Sequence, residues 1–160
     1  MEIREATSED WAQLWPLYDA IVRAGETYAY PQGSEPEARA LWMERPPGHT
    51  VVAVESGRVV GTAKMGPNRP GRGDHVATAS FMVHPAHQGR GVGRALGQYA
   101  LAWAKAQGYL SMQFNAVVER NEAAVHLWQA LGFELIGTVP EAFRHPRHGL
   151  VGLHVMWRRL

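Results

Sequence analysis

The sequence predicts an α/β protein built as one domain, a mixed sheet flanked by helices. Two periodicities and one absence carry that reading. Runs of period two, such as "EIREAT" and "HVATASFMV", interleave with a run in which Val92, Leu96, Tyr99, Trp103 and Ala106 recur at helical spacing. Strand-like and helix-like stretches alternate in this way along the chain, the pattern of a layered domain. No linker or internal repeat interrupts residues 1–160, so a single domain is expected.

Taken in order, the first strand starts at Glu2, and Ser8 caps a helix with Trp11, Leu14, Trp15, Tyr18, Ile21 and Val22 on one face. Gly25 ends it. "ETYAYPQG" is a loop, and Ser34-Glu35-Pro36-Glu37 opens a second helix through about Met43. "HTVVAVESGRVVGTAKM" is a hairpin turning at Ser56-Gly57. After the loop Asn68–Asp74, a strand ends at Val83, a glycine turn follows, and a helix runs to Gly108. "YLSMQFNAVV" is a strand, and "NEAAVHLWQALG" a helix with Asn121 as N-cap and Gly132 beyond its end. "FELIGTV" and "GLVGLHVMW" close the chain as antiparallel strands across a "PEAFRHPRH" loop.

Composition narrows the function. At 46% hydrophobic and 19% charged the chain is globular, and a formal charge of +1 argues against a polyanionic partner such as nucleic acid. With no cysteine, thiolate zinc sites, disulfides and cysteine nucleophiles are excluded. "MEIREATSED" lacks the apolar core of a signal peptide, and no apolar stretch is long enough to cross a bilayer. A cytoplasmic protein without a membrane partner is expected.

"HPAHQGRGVGRALG" concentrates the chemistry. Gly89, Gly91 and Gly93 let backbone approach a ligand, Arg90 and Arg94 supply positive charge, and a helix opens near Gly91 with unpaired N–H groups at its start. The residues alone leave two readings open, an anion cradle or a tight turn with solvated arginines. A dinucleotide fingerprint fails because Arg94 stands where a third glycine belongs and the next strand ends in Phe114-Asn115 without an acid. A P-loop is absent. "HPAH" and "HPRH" space histidines by three, but with no third ligand type nearby no metal is expected.

"VHPAHQGRGVGRALG" resembles the acetyl-CoA signature Q/R-x-x-G-x-G/A of the GCN5-related N-acetyltransferases, the GNAT family, in Gln88, Gly91 and Gly93. "NEAAVHLWQALGF" resembles the family's N-x-x-A-x-x-L-Y-x-x-L-G-F element, and the early hairpin its second and third strands. The resemblance covers nearly the whole chain. It implies the GNAT fold: a mostly antiparallel sheet of six to seven strands with a V-shaped cleft, flanked by about four helices. It also implies acetyl-CoA as cosubstrate, with the backbone of Phe81, Met82 and Val83 holding the pantetheine arm. Gln88, Gly89, Arg90, Gly91, Val92, Gly93 and Arg94 are then expected around the pyrophosphate, with Asn121 and Trp128 beside the arm and thioester. Family members often dimerise, so a homodimer is an expectation that the residues themselves do not read out.

Acetyl transfer needs a neutral amine, a polarised carbonyl and a proton for the leaving thiolate. Trp128 stands where the family often places an acidic tyrosine, so water or a tyrosine such as Tyr28 is left to protonate the thiolate. The strand before the turn carries Thr78 and Ser80 where the family often has a glutamate. These hydroxyls and Asn115 are the candidate catalytic residues, while Glu26, Tyr28, Thr78 and Asn115 are the candidate acceptor contacts. Glu26, Glu119 and Asp74 are alternative bases or plain solvated charges.

A narrower resemblance links Phe114, Asn115, Val117, Glu119 and Asn121 to yeast acetyltransferases acting on azetidine-2-carboxylate, a toxic proline analogue. Thr78 departs from that group, where an asparagine is expected to touch substrate. The resemblance therefore implies a small-molecule amine, first an amino or imino acid, as the acceptor. A peptide or protein N-terminus is the alternative acceptor, and a non-catalytic acyl-CoA-binding module the alternative function.

Overall fold

The computed structural model describes residues 1–43 and 46–160. Among the described residues, seven strands form one sheet, in the order β1-β2-β3-β4-β5-β7-β6. They are β1 (Glu2–Glu5), β2 (His49–Glu55), β3 (Arg58–Pro67), β4 (Val76–Val83), β5 (Ser111–Val118), β6 (Glu134–His145) and β7 (Gly149–Arg159). The α-helices described pack on its two faces: α1 (Trp11–Ala24), α2 (Glu35–Trp42), α3 (Val92–Ala106) and α4 (Glu122–Ala130). Neighbouring strands are antiparallel except β4 and β5.

One face buries Leu96, Ala100 and Ala104 of α3 and Trp128 of α4 against Val51, Ala63, Met112 and Phe114 of the sheet. The other buries Trp11, Leu14 and Tyr18 of α1 and Trp42 of α2 against Val52 and Met82. The fully buried Trp42 anchors α2, its indole N–H donating to Thr62 Oγ1 at 3.0 Å. Thr62 in turn donates to the carbonyl of Val51 at 2.8 Å, so this buried polar pair is satisfied.

The local signals landed with two corrections. Ser56 and Gly57 both take positive φ, 50° and 75°, the conformation a two-residue hairpin turn requires. Ser34 opens α2, its N–H and hydroxyl both donating to Glu37 at 2.8 Å. At α1, however, the start falls to Thr7 rather than Ser8. Thr7 donates its N–H to Asp10 at 2.7 Å, and Ser8–Asp10 form a short 3-10 turn ahead of the helix. The "PEAFRHPRH" loop is also mostly strand, since β6 continues to His145. A register shift between Val139 and Phe143 absorbs its extra residues, and Phe143 is buried with Val118 and Val151.

Candidate active site

The site begins where the sheet fails to close. β4 and β5 pair only at Val76↔Ser111 and Ala77↔Met112, and beyond those residues the strands part. A bulge in β5 between Phe114 and Val117, against β7, bends that strand away. His84 donates its N–H to the carbonyl of Val60 at 2.9 Å, so by strand alternation Met82 and Ser80 also turn their backbone toward β3. Ala79, Phe81 and Val83 therefore face the gap. The backbone hydrogen-bonding groups of Met82 thus face β3; Met82 still lines the gap, with its side chain buried beside α1.

The gap opens into a cavity of about 520 Å³ that passes through the sheet. At one end it is lined by Gln88 and Gly93 of the glycine turn and by Asn121, Leu127 and Trp128 near α4; at the other by Thr27–Tyr30, Thr78, Ser80 and Asn115. Among the described residues, no aspartate, glutamate, lysine, arginine or histidine lines it. The wall is neutral, apolar with a few amides and hydroxyls.

At the turn, Gly89 and Gly91 hold φ of 72° and 84°, values that L side chains rarely adopt, and Gly91 caps α3. Arg90 and Arg94 are exposed beside it. Val92 buries its side chain in the core, so what it can offer the turn is its backbone. Gly93 sits close to its neighbours, since a Cβ there would lie 3.3 Å from Leu127 and 3.7 Å from Val83. Asn121 caps α4, accepting from the N–H of Ala124 at 3.3 Å. A phosphate-bearing group with an amide arm fits this set: free N–H groups at a helix start, arginines, and unpaired strand backbone.

Trp128 is 7% exposed and packs 4.7 Å from Phe81 and 4.8 Å from Phe114, ring centre to ring centre. Its place is in the aromatic wall of the gap.

On the opposite face, Thr78 and Ser80 of β4 share a side with Gln113 and Asn115 of β5, since Ala79, Phe81, Met112 and Phe114 point into the α3/α4 core. Asn115 is exposed and accepts from Gln113 at 2.9 Å while donating to Asn68 at 2.6 Å. Asn68 and Gln113 escaped the sequence reading; Asn68 comes from the loop after β3, 47 residues away.

Tyr28 reaches over the gap from the loop between α1 and α2. Phe81 donates its N–H to the Tyr28 hydroxyl at 2.8 Å, and that hydroxyl donates to the Phe81 carbonyl at 2.6 Å. Burial, then the neighbouring Tyr30, pushes the Tyr28 pKa above the ordinary tyrosine value. Tyr28 stacks on Tyr30 at 5.1 Å and meets Trp42 edge-on at 6.4 Å. Glu26 pairs with Arg147 at 2.7 Å, tying this loop to the β6–β7 turn.

The alternative bases lie elsewhere. Glu119 accepts from the N–H of Gly152 at 2.6 Å, which removes it from the solvated charges. Asp74 is exposed and, like Glu119, lies outside the cavity wall. Among the described residues no cluster of metal-ligating side chains occurs.

Comparison with known proteins gives the same picture. A family model described as Acetyltransferase (GNAT) family matches residues 6–133. The L-amino acid N-acyltransferase MnaT of Escherichia coli is 32% identical over 145 residues, covering 88% of this chain and 84% of MnaT. A solved GCN5-related N-acetyltransferase from Kribbella flavida is 56% identical with a TM-score of 0.97, covering 99% of this chain and 97% of that one. A Salmonella typhimurium putative acetyltransferase, yncA, solved with acetyl-CoA, is 28% identical with a TM-score of 0.84, covering all of this chain and 94% of that one. Not every relative is matched end to end: the chain spans 43% of the length of a fission-yeast N-acetyltransferase, aca1, at 34% identity over 56% of its own.

Proposed function

Because this chain belongs to the GNAT family of acetyltransferases, we propose that it moves the acetyl group of acetyl-CoA to the amine of a small amino or imino acid. The observation that carries the reading is the single uncharged cavity joining the glycine turn to Thr78, Ser80 and Asn115. The nature of MnaT, an L-amino acid N-acyltransferase, supports the acceptor class.

Bound acetyl-CoA supplies an activated acyl thioester. The turn at Gly89–Gly93, with Arg90 and Arg94, holds the pyrophosphate through N–H groups and positive charge. Val83 gives its unpaired backbone to the pantetheine amides, beside Asn121. Asn115, held by Asn68 and Gln113, orients the acceptor.

A neutral wall has consequences for the protons. An ammonium meets no counter-charge on that wall, so the acceptor reacts as the free amine, while its carboxylate takes hydrogen bonds from the amides and hydroxyls there. Thr78 and Ser80 relay the proton lost on acylation to water. The departing sulfur takes its proton from water as well, since Trp128 is no acid and Tyr28 holds its own proton more tightly than usual. Thiol release from acetyl-CoA, measured against a panel of amines, tests the reading.

Two further expectations travel with it. A homodimer would cover Leu135, Ile136 and Val139, which the edge strand β6 leaves exposed. A cytoplasmic location accords with the finding that, among the described residues, no helix is long and apolar enough to cross a membrane.

A further inference from the structure

We propose that the Tyr28 hydroxyl is a displaceable occupant of the seat for the acyl carbonyl, so that donor binding loosens the loop that walls the acceptor. The proposal rests on the acetyl-CoA reading above.

Phe81 is the middle of the three residues whose backbone faces the gap. Val83 adjoins the glycine turn, and Ala79 adjoins the end where Ala77 still pairs with Met112. A thioester reaching from the turn toward Thr78 and Ser80 passes Phe81. Yet both hydrogen-bonding groups of Phe81 are already engaged by one hydroxyl, as acceptor at 2.8 Å and as donor at 2.6 Å. In a closed sheet β5 would fill that role; here a side chain from 53 residues away stands in for the absent strand.

Such a stand-in yields to a group that accepts from the Phe81 N–H as well as it does, with water taking up the Phe81 carbonyl that the hydroxyl leaves. An acyl carbonyl is such a group, and a free thiol is a weak acceptor. Acetyl-CoA therefore competes with Tyr28, whereas CoA does not. The exchange involves hydrogen bonds alone.

The loop carrying Tyr28 is the one whose residues Thr27–Tyr30 line the acceptor end. It is held by the Tyr28–Phe81 pair, by the stacking of Tyr28 on Tyr30 and of Tyr30 on Tyr18, and by the partly exposed Glu26–Arg147 pair. Losing the first releases the hold nearest the reacting atoms. The acceptor wall then adjusts after the donor has bound, which favours donor-first binding.

The test titrates acetyl-CoA and CoA separately into wild type and Tyr28→Phe by calorimetry. One hydrogen-bonded competitor removed should tighten acetyl-CoA about fivefold and leave CoA unchanged. Equal shifts for both ligands, or weaker acetyl-CoA binding, overturn the proposal. A wild type that binds neither ligand overturns the acetyl-CoA reading itself, and this proposal with it. Hydrogen exchange on the wild type gives a second reading that does not depend on the variant folding. Amides 27–30 should exchange faster with acetyl-CoA than with CoA; identical exchange overturns the proposal.

Discussion

Val92 closes against Gly61: a Cβ on Gly61 would lie 2.8 Å from Cγ1 of Val92 and 3.1 Å from Cδ1 of Leu96. The start of α3 is thus pinned to β3 by its own core residues, independently of the turn before it. Gly91, one residue earlier, has φ of 84° and open space where a side chain would stand. Gly91→Val should therefore strain the backbone by about 1–2 kcal/mol without unfolding the domain. The displaced N–H groups should weaken acetyl-CoA binding about 10- to 100-fold. Calorimetry with a thermal melt checks both; a folded variant of unchanged affinity would count against the turn.

Trp128 packs against Phe81 and Phe114. Trp128→Phe should keep turnover within about tenfold of wild type, because the indole N–H is no acid. Trp128→Ala should cost about 3–5 kcal/mol of stability by opening a cavity beside Phe81 and Phe114. Lost chemistry in Trp128→Phe with acetyl-CoA binding intact would assign the indole a catalytic part.

Asn115 is exposed and its amide partners, Asn68 and Gln113, are only partly buried, so Asn115→Ala should change stability by less than about 0.5 kcal/mol. The acceptor KM should rise about tenfold, as for one hydrogen bond to a charged group, while acetyl-CoA affinity holds. Steady-state kinetics with both substrates varied separates the two. Equal losses for every acceptor with a lower Tm would reduce Asn115 to a structural role.

Arg4 grips Asp10 at 2.8 Å through its two terminal guanidinium nitrogens, and Asp10 has only 8% side-chain exposure. The Arg4 hydrogen bond foremost holds the Asp10 carboxyl at about 2, against an ordinary 3.8. A depressed carboxyl pKa stabilises the fold in full above the unfolded value, and the contribution fades as pH falls toward the folded one. Stability should drop by about 2 kcal/mol between roughly pH 4 and pH 2 on this account. Urea denaturation of wild type and Asp10→Asn across that window measures it; the variant should lack this component of the slope.

What the sequence made legible was local. Period-two and helical runs located the strands and helices, and Gly25, Ser34 and Asn121 marked helix ends, because such signals depend on neighbours a few residues apart. The glycine turn was readable for the same reason. Thr7 displaced Ser8 because the fit of Asp10 to Arg4 decides which residue starts the turn. β6 outran its expected end because Phe143 finds a buried place beside Val118 and Val151, a contact no local pattern reports. The Asn68–Asn115 and Tyr28–Phe81 pairs join segments 47 and 53 residues apart. They exist only because β5 bends away from β4, and no short window of sequence records that.

The most direct measurement is free-thiol release from acetyl-CoA with a panel of amines, read together with the mass of the acetylated product. Azetidine-2-carboxylate and proline analogues head the panel, followed by other amino acids and short peptides. Transfer through an uncharged chamber of about 520 Å³ predicts one thiol released per amine acetylated, with small amino or imino acids turned over faster than peptides. Tight acetyl-CoA binding without thiol release for any amine, or release fastest with peptide N-termini, would contradict it.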